Sequence, residues 1–237
     1  MTTYYRVIDI TEYPLGTIWR NVNGQLGLFL NLAVRRLLRR PFPPSAGERR
    51  PETPLLVERA DFPAEALEAM EQRAAECREL GLGLALCSKG AGFIGFKRTY
   101  GMTYLDHSKT TAVVILWLQM RIRAQEMASL KVICSSHLED GRILSTVTCA
   151  PGWLGKISLP HVHEESVPTK TPLRDILAAH TRRLEAAGVR AIAEDRAMII
   201  AKWPERAQAG FDHLVATGFY VPMSQKEADR LIREGWE

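Results

Sequence analysis

Two imidazoles and a carboxylate alternate in His161-x-His163-x-Glu165. In an extended chain, side chains two apart share a face, so these donors would converge as ligands suited to Zn²⁺ or Mn²⁺. Further ligands would come from His107, Asp106 or His137. Pro160 and Pro168 bracket the stretch, which equally suits an irregular solvated loop, and no H-E-x-x-H helix accompanies it. The enzymatic alternative for this chain is therefore a small metal-dependent hydrolase built on His161, His163 and Glu165.

Other chemistry-bearing patterns are weaker. Gly90-Ala91-Gly92-Phe93-Ile94-Gly95 matches G-x-G-x-x-G, but a dinucleotide site needs a helix to begin inside the motif and an acid about 20 residues on. Residues 96–101 are poor helix sequence and residues 110–125 hold no Asp or Glu, so the stretch reads as a hairpin loop. His180 falls on the apolar stripe of a helix, the place of a histidine satisfied within a core. His137 lies near Glu139 and Arg142, whose charges a cross-strand ion pair explains. No G-x-S-x-G occurs, and no cysteine sits in a motif that marks a nucleophile.

Charge is distributed unevenly. The net is +4, from 31 Lys and Arg against 27 Asp and Glu, but residues 1–50 hold eight arginines and three acids. The remaining chain is close to neutral, which disfavours nucleic acid as a partner, because an isolated arm gives weak and non-specific binding. From Gln25 to Arg40 the pattern is helical: Leu26, Leu30, Ala33, Val34, Leu37 and Leu38 form one stripe, and Leu28, Phe29 and Leu32 cover the opposite side. Arg35, Arg36, Arg39 and Arg40 gather in the last turn, where cations suit the helix dipole. A helix apolar all round at one end must be buried there, in protein or in lipid. Beside a simple solvated helix end, two binding modes compete: an anchor on an anionic membrane surface, and an arm that docks on a partner subunit or a second copy. The favoured reading is a non-catalytic binding protein, without cofactor, whose contact residues are Leu26, Phe29, Leu30, Arg35, Arg36, Arg39 and Arg40.

The elements that carry these residues divide the chain in three. Residues 1–40 form an arm, a strand at 4–10 followed by the basic helix. Residues 41–60 are a linker with five prolines between 41 and 54. Residues 61–237 form one α+β domain, an antiparallel sheet of sequential strands with helices packed on one face. Its first helix spans 61–80, with Leu67, Met70, Ala74 and Cys77 as the stripe and Gly81 as the stop. A strand at 82–87 and a central strand at 111–122 follow. Three helices close the chain. Thr171 caps the first, which Gly188 ends; Pro204 opens the second, which Gly218 ends; and Ser224-x-x-Glu227 is a capping box for the third.

The hairpin at 130–149 is the most explicit local signal. A two-residue Asp140-Gly141 turn would pair Glu139 with Arg142. Val132, Cys134, Ser136 and Leu138 would then share the core face with Ile143, Ser145, Val147 and Cys149, leaving the other face polar. Cys134 and Cys149 become diagonal neighbours, too far apart to bridge.

Overall composition is that of a globular protein, with 237 residues, 46% of them apolar and 24% charged. Such a chain buries a core without disulfides. Its four cysteines lack C-x-x-C spacing and no secretory pattern opens the sequence, so reduced thiols in the cytoplasm are expected. The longest apolar runs, at 25–34 and 111–120, fall short of the roughly 18–20 residues that span a bilayer.

Overall fold

The computed structural model describes residues 5–7, 15, 19, 26–38, 55–90, 96–122, 125–149, 161–218 and 220–233. Strand β1 is Tyr5–Val7 and helix α1 Leu26–Leu37. After β2 (Leu55–Val57) comes α2 (Ala64–Glu79), then β3 (Gly83–Gly90), β4 (Phe96–Leu105), β5 (Ala112–Ile122), β6 (Gln125–His137), β7 (Ile143–Cys149) and β8 (Val162–Pro168). Helices α3 (Leu173–Ala187) and α4 (Arg196–Ala216), strand β9 (Tyr220–Pro222) and helix α5 (Gln225–Arg233) complete the described chain.

Strands β2 to β8 form a seven-stranded sheet whose spatial order is their sequence order, with β5 in the middle. Each neighbouring pair is antiparallel except β7 and β8, which run parallel. This is the expected α+β architecture. Helices α2 and α3 lie on the same face. Met70, Ala74 and Cys77 of α2 and Leu173 and Ile176 of α3 meet Tyr100, Met102, Val113, Ile115, Trp117, Val132 and Cys134 in one core. Burial reaches the second face too, where Leu86, Thr103, Leu118, Ser145 and Val147 are also buried.

Several local expectations are corrected. Strand β4 escaped the sequence reading, although Tyr100, Met102 and Tyr104 alternate with Thr99, Gly101 and Thr103 as a strand should. Gly101 lies where β3 and β5 crowd it: a Cβ there would stand 3.0 Å from Leu116 Cδ2 and 3.1 Å from Ser88 Oγ. The β6–β7 hairpin has a three-residue loop, Glu139-Asp140-Gly141. The Gly141 amide donates to the Leu138 carbonyl at 3.0 Å, and Gly141 takes a φ of 84°. Residue 138 therefore faces Arg142, and Cys134 faces Thr146. The one-residue slip turns every β7 side chain over: Leu144, Thr146 and Thr148 share the helix-covered face, while Cys149 points to the other side from Cys134.

Helix α4 begins at its Asp195 cap, whose side chain accepts the Met198 amide at 2.9 Å, so Pro204 lies inside the helix rather than at its start. Gly188 and Gly218 end α3 and α4 with left-handed φ, as expected. The N-terminal strand pairs antiparallel with β9, and the Phe211 ring meets Tyr5 edge-to-face and Tyr220 at a tilt. The strand of the arm is thus joined to the C-terminal end of the chain.

Candidate functional site

Helix α1 carries no acidic residue, and Arg35 and Arg36 occupy its last turn. Arg35 Nε donates to Asn31 Oδ1 one turn back, at 3.0 Å. The sequence shows two apolar sides on this helix, and the structure assigns them opposite roles. Leu32 is fully buried, and Phe29 is half-buried with its ring edge-to-face against Trp19 at 5.1 Å. The other stripe faces outward: Leu26 is 60% exposed, Leu30 52%, Val34 51%, Leu37 81% and Leu38 58%. Leu30, Val34 and Leu38 line a shallow depression with Gly27, Asn31 and Arg35. Leu15 and Trp19 are exposed as well. Of the contact residues expected from sequence, Leu26 and Leu30 lie on the open stripe, Phe29 and Arg36 are half-buried, Arg35 lines the depression, and Arg39 and Arg40 lie outside the described residues.

The chain matches no family model, no curated protein and no solved structure.

The alternating motif lies at the sheet edge. His163 and Glu165 belong to β8, and His161 precedes it; all three are exposed. Glu165 forms an ion pair with Arg183 of α3 at 3.1 Å, and the His163 carbonyl accepts from the same guanidinium at 2.5 Å. Among the described residues no three His, Cys, Asp or Glu side chains gather as a metal site. The glycine motif does not open a helix: β3 ends at Gly90, residues 91–95 lie outside the described residues, and β4 returns antiparallel, with Gly90 opposite Thr99.

His180 is a core histidine. Its Nε2 lies 3.0 Å from Ser136 Oγ and its Nδ1 3.1 Å from Thr146 Oγ1; Ser136 is in turn 3.2 Å from Thr111 Oγ1. A serine beside an imidazole is the arrangement of an activated nucleophile, but Ser136, Thr146 and His180 are sealed from solvent. Burial first, and the nearby Arg183 charge second, push the His180 pKa down to about 4, so the ring is neutral at pH 7. The cross-strand ion pair expected between Glu139 and Arg142 gives way to one inside the loop. Arg142 bonds Asp140 at 2.6 Å, whereas His137 faces Glu194 at 3.8 Å. Burial pushes the Glu194 pKa up, but hydrogen bonds from Arg206 and Lys202 outweigh it and hold the carboxyl down to about 2.

The four thiols are free. Burial pushes the Cys77 and Cys134 pKa values up to about 12, which makes both poor nucleophiles. Among the described residues no helix is long and apolar enough to cross a membrane.

Two bracing residues had no sequence signal. Arg183 donates to the Ser145 carbonyl, Thr146 Oγ1 and the His163 carbonyl, tying α3 to β7 and β8. Glu76 of α2 accepts the Leu173 amide at 2.9 Å and so caps α3, the part expected of Thr171. Pro172, the residue at the cap position, makes no side-chain cap bond, and Arg73 holds Glu76 in place at 2.8 Å.

Proposed function

We propose that this is a non-catalytic interaction protein of the cytoplasm that docks through the outward stripe of α1 onto a surface outside its own protomer, a protein subunit or a membrane face. The observation that carries the reading is the exposure of Leu26, Leu30, Val34, Leu37 and Leu38 on one side of one helix. Contiguous apolar surface of this kind marks interaction sites. Covering the exposed parts of five such side chains is worth roughly 5–9 kcal/mol before the entropy of association is subtracted. That sum supports a reversible contact and leaves room for a second attraction.

The test is Leu30→Glu/Leu37→Glu in the full chain. Both positions are exposed, so the far-UV circular dichroism and Tm are expected to stay put. Assembly beyond the monomer, or pelleting with membranes, is expected to disappear. A wild-type protein that does neither, and matches the variant in every association assay, refutes the reading.

A further inference from the structure

We infer that the surface α1 docks on is an anionic lipid bilayer. The inference rests on the docking reading above and names its partner. Residues 13–47 contain five arginines (20, 35, 36, 39 and 40) and not one Asp or Glu. The apolar stripe lies within this acid-free segment, and the rest of the chain adds no basic excess. Arg35 lines the same depression as Leu30, Val34 and Leu38. A helix lying flat with the leucines down therefore holds this guanidinium at headgroup level, where phosphates accept its hydrogen bonds. Trp19 is exposed beside α1, against Phe29, and an indole suits the boundary between headgroups and acyl chains. The helix has 12 residues, about 18 Å of length, which lies in the membrane plane and cannot cross it.

The same charge argues against a second copy as the occupant. The acid-free segment of a second copy, residues 13–47, brings its own arginines and no carboxylate, so like charges meet where two such segments touch. An anionic leaflet supplies the complementary potential without any shape requirement.

The experiment is co-sedimentation of the full chain with phosphatidylcholine vesicles and with the same vesicles doped with phosphatidylserine, alongside measurement of the oligomeric state without lipid. Wild-type protein is expected to pellet with the doped vesicles and to bind pure phosphatidylcholine about tenfold less or weaker still. Added salt is expected to weaken binding, and Arg39→Gln/Arg40→Gln to lower the bound-to-free ratio by about thirtyfold. Leu30→Glu/Leu37→Glu is expected to abolish it. Equal binding to both vesicle types overturns the anionic requirement. A protein that ignores both but self-associates through the stripe, as judged by the Leu30→Glu/Leu37→Glu variant, overturns the lipid inference and leaves the docking reading standing. A monomer that ignores both vesicles and matches that variant overturns both.

Discussion

Exchanging His180 for glutamine removes a titrating group from the centre of the fold and leaves polar atoms for Ser136 and Thr146. The folded pKa of His180 is about 4 against an ordinary 6.5. Between those values the unfolded chain binds a proton that the folded chain refuses. Stability is therefore fully present above pH 6.5 and is lost as pH falls from 6.5 through 4. At 1.36 kcal/mol for each pKa unit, the full loss is about 3 kcal/mol, and about 2 kcal/mol of it is spent by pH 5. The assay is guanidinium unfolding of wild type and His180→Gln at pH 7.5 and about pH 5. The variant is expected to be less stable at neutral pH, because its amide cannot reproduce both ring contacts, and to lose about 2 kcal/mol less on acidification. His137, whose pKa burial also lowers, is common to both proteins and cancels in the comparison. Identical pH dependence in the two proteins, or an imidazole at position 180 titrating near 6.5, would refute the reasoning.

Three further outcomes are expected. Glu76→Ala removes the cap of α3 and leaves Arg73 without its ion pair, so chemical denaturation is expected to show a loss of about 1–2 kcal/mol. Gly101→Val places a branched side chain against Leu116 and Ser88, and Tm measurements are expected to report a destabilisation of about 1–3 kcal/mol; a neutral result would mean that the strands around it move apart freely. Arg183→Met keeps much of the aliphatic stem but frees the carbonyls of Ser145 and His163, so hydrogen exchange is expected to rise in β8 while β4 and β5 stay protected.

The sheet was legible where one signal dominated. The β-branched run at 111–122 gave β5 its place in the middle, and Gly81, Gly188 and Gly218 marked helix ends because only a left-handed residue closes them. The hairpin register was not legible, since Asp140-Gly141 fits both a two-residue turn and the second half of a three-residue loop. Pro204 pointed to a helix start because proline favours the first turn, yet Asp195 supplies a cap well upstream. Glu76 caps a helix 97 residues further along the chain, a contact that no local pattern encodes. On α1 the periodicity revealed two apolar sides but could not say which would be covered; Leu32 took the inside and the Leu30 stripe was left in water.

The pairing of β1 with β9 makes the described chain a closed ring of more than 200 residues, fastened by three paired positions and one edge-to-face ring contact. Two three-residue strands and one ring contact bury little and make few backbone hydrogen bonds, so the clasp belongs to the weakly held parts of the fold. Its amides should be among the first to open, in step with each other rather than as two independent frayed ends. Trimming either end would unfasten the opposite one, and a circular permutant that joins the two ends covalently would keep the clasp shut.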